Sequence, residues 1–95
     1  MIHYLLLKFQ PGGFTPEICQ LAKTTYRELQ NALEGIQEAE VCCNNALRDS
    51  DADLLIRLTL REREDLKTYL DHPLHLAFVR QVDERVVQRL TFDQF

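Results

Sequence analysis

Ninety-five residues carrying a formal charge of -4 exclude binding to nucleic acid, because phosphate contacts need clustered Lys and Arg, and here Arg61 and Arg63 alternate with Glu62 and Glu64. A chain of this length forms one domain, residues 1–95, with a modest core that pairing with a second copy commonly enlarges. No apolar run reaches the roughly 20 residues of a membrane-spanning helix. The opening MIHYLLLKF is too short for a secretory signal and is followed by no small-residue cleavage site, so a cytoplasmic setting is expected.

Residues 2–10, IHYLLLKFQ, read as a strand ended by the breaker PGG at 11–13. Thr15, Pro16 and Glu17 supply a cap, a first-position proline and a first-turn acid. Ile18, Leu21, Ala22, Thr25, Leu29, Ala32 and Leu33 then fall on one side of a helix, with Gly35 as its expected stop. IQEAEVCCN at 36–44 reads as a second strand, 45–52 as an acid-rich loop, and DLLIRLTL at 53–60 as a third strand with Leu54, Ile56, Leu58 and Leu60 on one face. REREDLKTYLD at 61–71 is a helix that breaks at His72, where Pro73 disfavours helical geometry. A second helical piece over 74–86 carries Leu74, Phe78, Val82 and Arg85 or Val86 at helical spacing, and VVQRLTFDQF closes the chain as a fourth strand.

The order βα ββ αβ predicts an α+β, ferredoxin-like protomer, four antiparallel strands backed by helices. The first strand is apolar on both faces: His3, Leu5, Leu7 and Phe9 on one, Ile2, Tyr4 and Leu6 on the other. Helices cover only one face of such a sheet, so the other is expected to meet the sheet of a second copy.

Most familiar chemistries are missing from the pattern. Gly12, Gly13 and Gly35 form no nucleotide-binding loop, and Ser50, the sole serine, sits in a polar loop rather than a nucleophile motif. Asp49, Asp51 and Asp53 alternate like the start of a calcium loop without its glycine and distal Glu, and read as a solvated turn. Cys42 and Cys43, adjacent on a strand, point to opposite faces. With Cys19 they make neither a disulfide framework nor a metal site, and reduced, small-hydrophobe roles are expected. His72 and His75 are three apart but separated by Pro73, with no Cys or paired acid to complete a metal site. No metal and no cofactor are expected.

The residues able to handle protons gather in YLDHPLHLAF, at 69–78, and in His3. His3 is either a core histidine donating to a backbone carbonyl or a general base. His72 suits a cap at the C-terminus of the helix it ends, where the dipole favours it. His75 shares a side with Phe78 and is the better aimed at the sheet. Tyr69 is either a core residue with a polar partner or an orienter of a substrate carbonyl.

MIHYLLLKF at the start, Asp53–Leu54 opening the third strand, the Tyr-x-x-His-Pro-x-His run at 69–75 and the closing LTFDQF together resemble the stress-responsive α/β-barrel (Dabb) domain family along the whole chain. The resemblance implies a homodimer whose sheets pack face to face, with a pocket for a small hydrophobic ligand between sheet and helices. Most of that family has no assigned reaction. A member that closes a linear polyketide by aldol condensation, without metal or cofactor, implies the alternative of a cyclase or lyase. In that case His75 would be the general base, Tyr69 and His3 would complete the catalytic set, and Tyr26, His72 and Phe78 would contact substrate.

Overall fold

The computed structural model describes residues 1–45 and 48–95. Its elements are β1 (Ile2–Phe9), α1 (Pro16–Ala32), β2 (Ile36–Cys43), β3 (Leu54–Leu60), α2 (Glu64–Asp71), α3 (Pro73–Val82), a single 3-10 turn (Asp83–Arg85) and β4 (Val86–Gln94). The strands form one antiparallel sheet in the order β2-β3-β1-β4. This is the expected ferredoxin-like α+β fold.

Local chemistry sets the joints. Pro11 and Gly12 are the central residues of a turn closed by the Gly13 N–H donating to the Gln10 carbonyl at 2.8 Å. Gly12 has φ +75°, which only glycine adopts without strain. Thr15 caps α1, its hydroxyl accepting from the Ile18 N–H at 3.2 Å. The helix does not run on to Gly35 as expected. It ends at Ala32, with Leu33 extended (φ -118°, ψ 112°), and residues 33–36 close a turn through Ile36 N–H to the Leu33 carbonyl. Gly35 serves that turn, buried where a Cβ would overlap the Asp65 side chain. That carboxylate accepts from the Glu62 N–H at 2.8 Å, holding 61–63 as a turn, so α2 starts at Glu64 rather than Arg61.

The core lies between the sheet and the helices. Leu5, Leu7 and Phe9 of β1, Leu54, Ile56, Leu58 and Leu60 of β3, Ile36 of β2, and Ile18, Ala22, Tyr26 and Leu29 of α1 are buried together with Tyr69, Phe78 and Val82. Strand alternation leaves Leu6, Leu90 and Phe92 exposed on the opposite face (36%, 54% and 66%). A concavity of about 570 Å³ lies on that bare face, bounded by Leu6, Lys8, Cys42, Leu55, Gln88 and Leu90 among others.

Two expectations are corrected. Cys19 and Cys43 are joined in a disulfide, with Cα atoms 6.2 Å apart, while Cys42 is free. Adjacency on β2 does send Cys42 and Cys43 to opposite faces, but it turns Cys43 to the helix side, where it meets Cys19 of α1. The acids before β3 are also not a wholly solvated turn. The Asp53 carboxylate accepts from the Phe9 N–H at 2.8 Å, and the Asp53 N–H donates to the Leu7 carbonyl at 2.9 Å, tying the entry of β3 to the end of β1. Part of the expected 45–52 loop lies outside the described residues. No helix among the described residues is long and apolar enough to cross a membrane.

Candidate functional site

Segments far apart in the chain meet at one rim of the helix layer. On β1, alternation turns His3 to the side of Leu5 and Leu7, and it is 5% exposed. In the β1–β4 register His3 stands opposite Asp93, and directly opposed residues on one face bring their side chains into reach. The His3 Nδ1 lies 2.5 Å from an Asp93 carboxylate oxygen, a charge-assisted bond with Nδ1–H as donor. Asp93 keeps 34% of its side chain exposed, so the pair sits at the edge of the core rather than within it.

The proline break supplies the second element. Pro73 forces His72 to an extended backbone, φ -68° and ψ 138°, ending α2 and starting α3. The last carbonyls of α2 then lack helical partners. His75, in the first turn of α3, donates its Nδ1–H to one of them, the Leu70 carbonyl, at 2.9 Å. Its ring packs on Tyr69 with centroids 4.6 Å apart. Burial holds the His75 pKa below its ordinary value, with the Leu70 bond opposing and the charges of Arg89 and His3 adding to the shift. The neutral ring with Nδ1–H in use presents its lone pair at Nε2.

Tyr69 itself is fully buried. Its hydroxyl lies 2.5 Å from that of Tyr26 on α1, and its ring is 6.1 Å from His3. Burial pushes the Tyr69 hydroxyl up to about 12. Burial also raises Tyr26 well above the ordinary value, with the neighbouring Tyr69 adding to the effect. Phe78 packs edge-on to Tyr26 with centroids 5.8 Å apart. Both phenols therefore remain protonated across the neutral range, as hydrogen-bond donors rather than bases.

Of the residues singled out in the sequence, His3, Tyr26, Tyr69, His75 and Phe78 are brought into one cluster. His72 plays a different part. Its Nδ1 accepts from the Leu74 N–H at 3.1 Å, so its side chain caps the start of α3 rather than the end of α2. Sequence reasoning missed Asp93. The signal was present, an isolated acid in the strand TFDQF, but pairing it with His3 requires the register of β4 on β1.

A ferredoxin-like domain with a histidine–tyrosine cluster at the rim of its helix layer is the class of protein these features define. The chain belongs to the Stress responsive A/B Barrel Domain family, whose model matches residues 2–95. Among solved structures it is similar to a dimeric protein of unknown function from Bacteroides fragilis (21% identity, TM-score 0.82, covering 98% of this chain and 92% of that one). A protein from Arabidopsis thaliana shares 22% identity at TM-score 0.76, covering 99% and 92% of the two chains. A hydroxynitrile lyase from Passiflora edulis shares 13% identity at TM-score 0.73, covering 96% and 87%. At these identities the likeness is one of fold. No curated protein matches the chain.

Proposed function

We propose that this chain is a homodimeric small-molecule protein that moves a proton at a carbon beside a carbonyl, without a metal or organic cofactor. The observation that carries the reading is His75. Its Nδ1–H is fixed on the Leu70 carbonyl and burial disfavours its charged form, which together describe a neutral imidazole poised as a general base at Nε2. A donor for an oxygen that gains negative charge stands close by in the Tyr69 hydroxyl, with the His3 ring, its Nδ1–H held by Asp93, beside it. His75 and Asp93 are not fully covered, so a small carbonyl compound would approach the cluster from their side.

A second reading has its own support. Tyr26, Tyr69 and His3 are buried and bonded to protein partners, as they would be in a binding protein with no reaction, whose histidines pin the helix break. Hydrogen–deuterium exchange at the central carbon of methyl acetoacetate, followed by NMR in D₂O, separates the two. The variant His75→Asn keeps a donor for the Leu70 carbonyl and removes the base. Exchange faster with the wild type than with buffer, and lost in the variant, is the expected result. No acceleration by the wild type would leave only the binding role.

The dimer follows from the bare sheet face. Leu6, Leu90 and Phe92 are exposed there, and the similar ferredoxin-like protein from Bacteroides fragilis is described as dimeric.

A further inference from the structure

We infer that Arg89 anchors a carboxylate, so that the molecule taken at this site is a small oxo acid rather than a purely apolar compound. The inference rests on the proton-transfer reading for the position of the reacting carbonyl. Arg89, Thr91 and Asp93 stand opposite Leu7, Leu5 and His3 in the β1–β4 register. They therefore share the face that carries the core and the histidine cluster, yet all three are exposed, which places them on its open margin. Arg89 and Asp93 are four residues apart, about 13 Å along the strand, so this margin carries a positive group at one end and a negative group at the other, and the long Arg89 side chain has to span part of that distance.

That arrangement orients an anionic guest. Asp93, committed to His3, repels a carboxylate from the histidine end, while the guanidinium attracts it at the other and leaves the carbonyl beside His3 and His75. The guanidinium has capacity to spare. Its ion-pair contact with Asp83 is 3.8 Å long, and the two side chains are 44% and 70% exposed, a geometry that contributes little. Its planar fork matches a carboxylate with two parallel bonds, which Lys cannot reproduce. Its charge is felt inside the cluster, where it slightly opposes the rise that burial gives Tyr26 and Tyr69 and adds to the lowering of His75. The whole chain is negative at -4, so an anion is drawn to this place by the local cation and not by the overall field.

The test compares acetoacetate with its neutral methyl ester, reading binding from backbone amide shifts and proton exchange separately, in the wild type, Arg89→Gln and Arg89→Lys. A hydrogen-bonded charge pair predicts that the wild type binds the acid about tenfold more tightly than the ester. The ratio should fall to about one in Arg89→Gln and stay between the two in Arg89→Lys. A wild-type ratio of one or less, failure of the acid to bind, or a ratio untouched by Arg89→Gln would each overturn the anchor. If the ratio follows Arg89 but neither probe exchanges, the base reading fails and the anchor stands. If His75→Asn abolishes exchange while the ratio ignores Arg89, the anchor fails and the base reading stands.

Discussion

The two faces of the single sheet, both apolar along β1, have opposite fates. Along β1 the residues turned to the helices, His3, Leu5, Leu7 and Phe9, are all buried, while Tyr4, Leu6 and Lys8 between them are not. Across β3 the same alternation separates buried Leu54, Ile56, Leu58 and Leu60 from the partly exposed Leu55, Arg57 and Thr59. One face is sealed by α1 and α3. The other carries Leu6, Leu55, Leu90 and Phe92 beside a ring of Tyr4, Arg57, Glu38 and Glu40, the last two within 3.9 Å of Arg57. The contrast teaches where chemistry can live on such a fold. The sealed face is apolar under the helices and turns polar where β4 presents the exposed Arg89, Thr91 and Asp93, and the His3–Asp93 pair lies on that line.

Substituting across the sheet is the strongest way to break this contrast. Leu58 is fully buried, so Leu58→Ala should cost about 2–5 kcal/mol in urea unfolding, the range for a buried Leu that leaves a cavity. Phe92→Asp, on the bare face, should convert a dimer to a monomer by light scattering while leaving the far-UV spectrum of the fold intact. A wild type that is already monomeric at micromolar concentration would remove the partner sheet from the account, and with it the reason for the apolar content of the second face.

The disulfide sharpens the same division, because it fastens the helix layer to the edge of the sheet away from the cluster. Cys19 and Cys43 are 24 residues apart, and closing a loop of that length removes unfolded-state entropy equivalent to about 3 kcal/mol. Reduction, or Cys43→Ser, should lower stability by that order, and Cys42→Ser should not. Quantifying free thiols in the unfolded protein checks the premise: one per chain is expected, and three would mean the bond does not form.

Where physics is local, the sequence was easy to read. Thr15–Pro16, Pro73 and strand alternation each act within a few residues, and so the element order, the helix break and the sealed face of β1 were visible in the chain. Features that depend on two distant segments were not. Cys43 meets Cys19, and His3 meets Asp93, only because of the crossover of α1 and the register of β4, and single-sequence patterns contain neither. Gly35 misled for a related reason: it looked like a helix stop, but its small size is required by Asp65, thirty residues on in the chain. The clustering of His3, Tyr26, Tyr69 and His75 was anticipated from the family resemblance, while the division of labour between the two histidines of the His-Pro-x-His run was fixed by which atoms the broken helix left without partners.

That division gives the smallest effect and the most specific one. His75 has a folded pKa below its ordinary 6.5, chiefly through burial. Above that ordinary value both the folded and the unfolded chain hold the ring neutral, and the residue makes stability independent of pH. As pH falls through 6.5, the unfolded chain binds a proton that the folded one declines, and stability falls until the folded ring protonates as well. Urea midpoints taken from about pH 8 to about pH 5 should therefore decline more steeply for the wild type than for His75→Asn, which keeps the bond to the Leu70 carbonyl but cannot titrate. Ring resonances of His75 should report a midpoint below 6.5 in the same window. A midpoint above about 7 would mean that the ring is mostly charged at neutral pH, and a charged ring has no lone pair at Nε2 with which to take a proton.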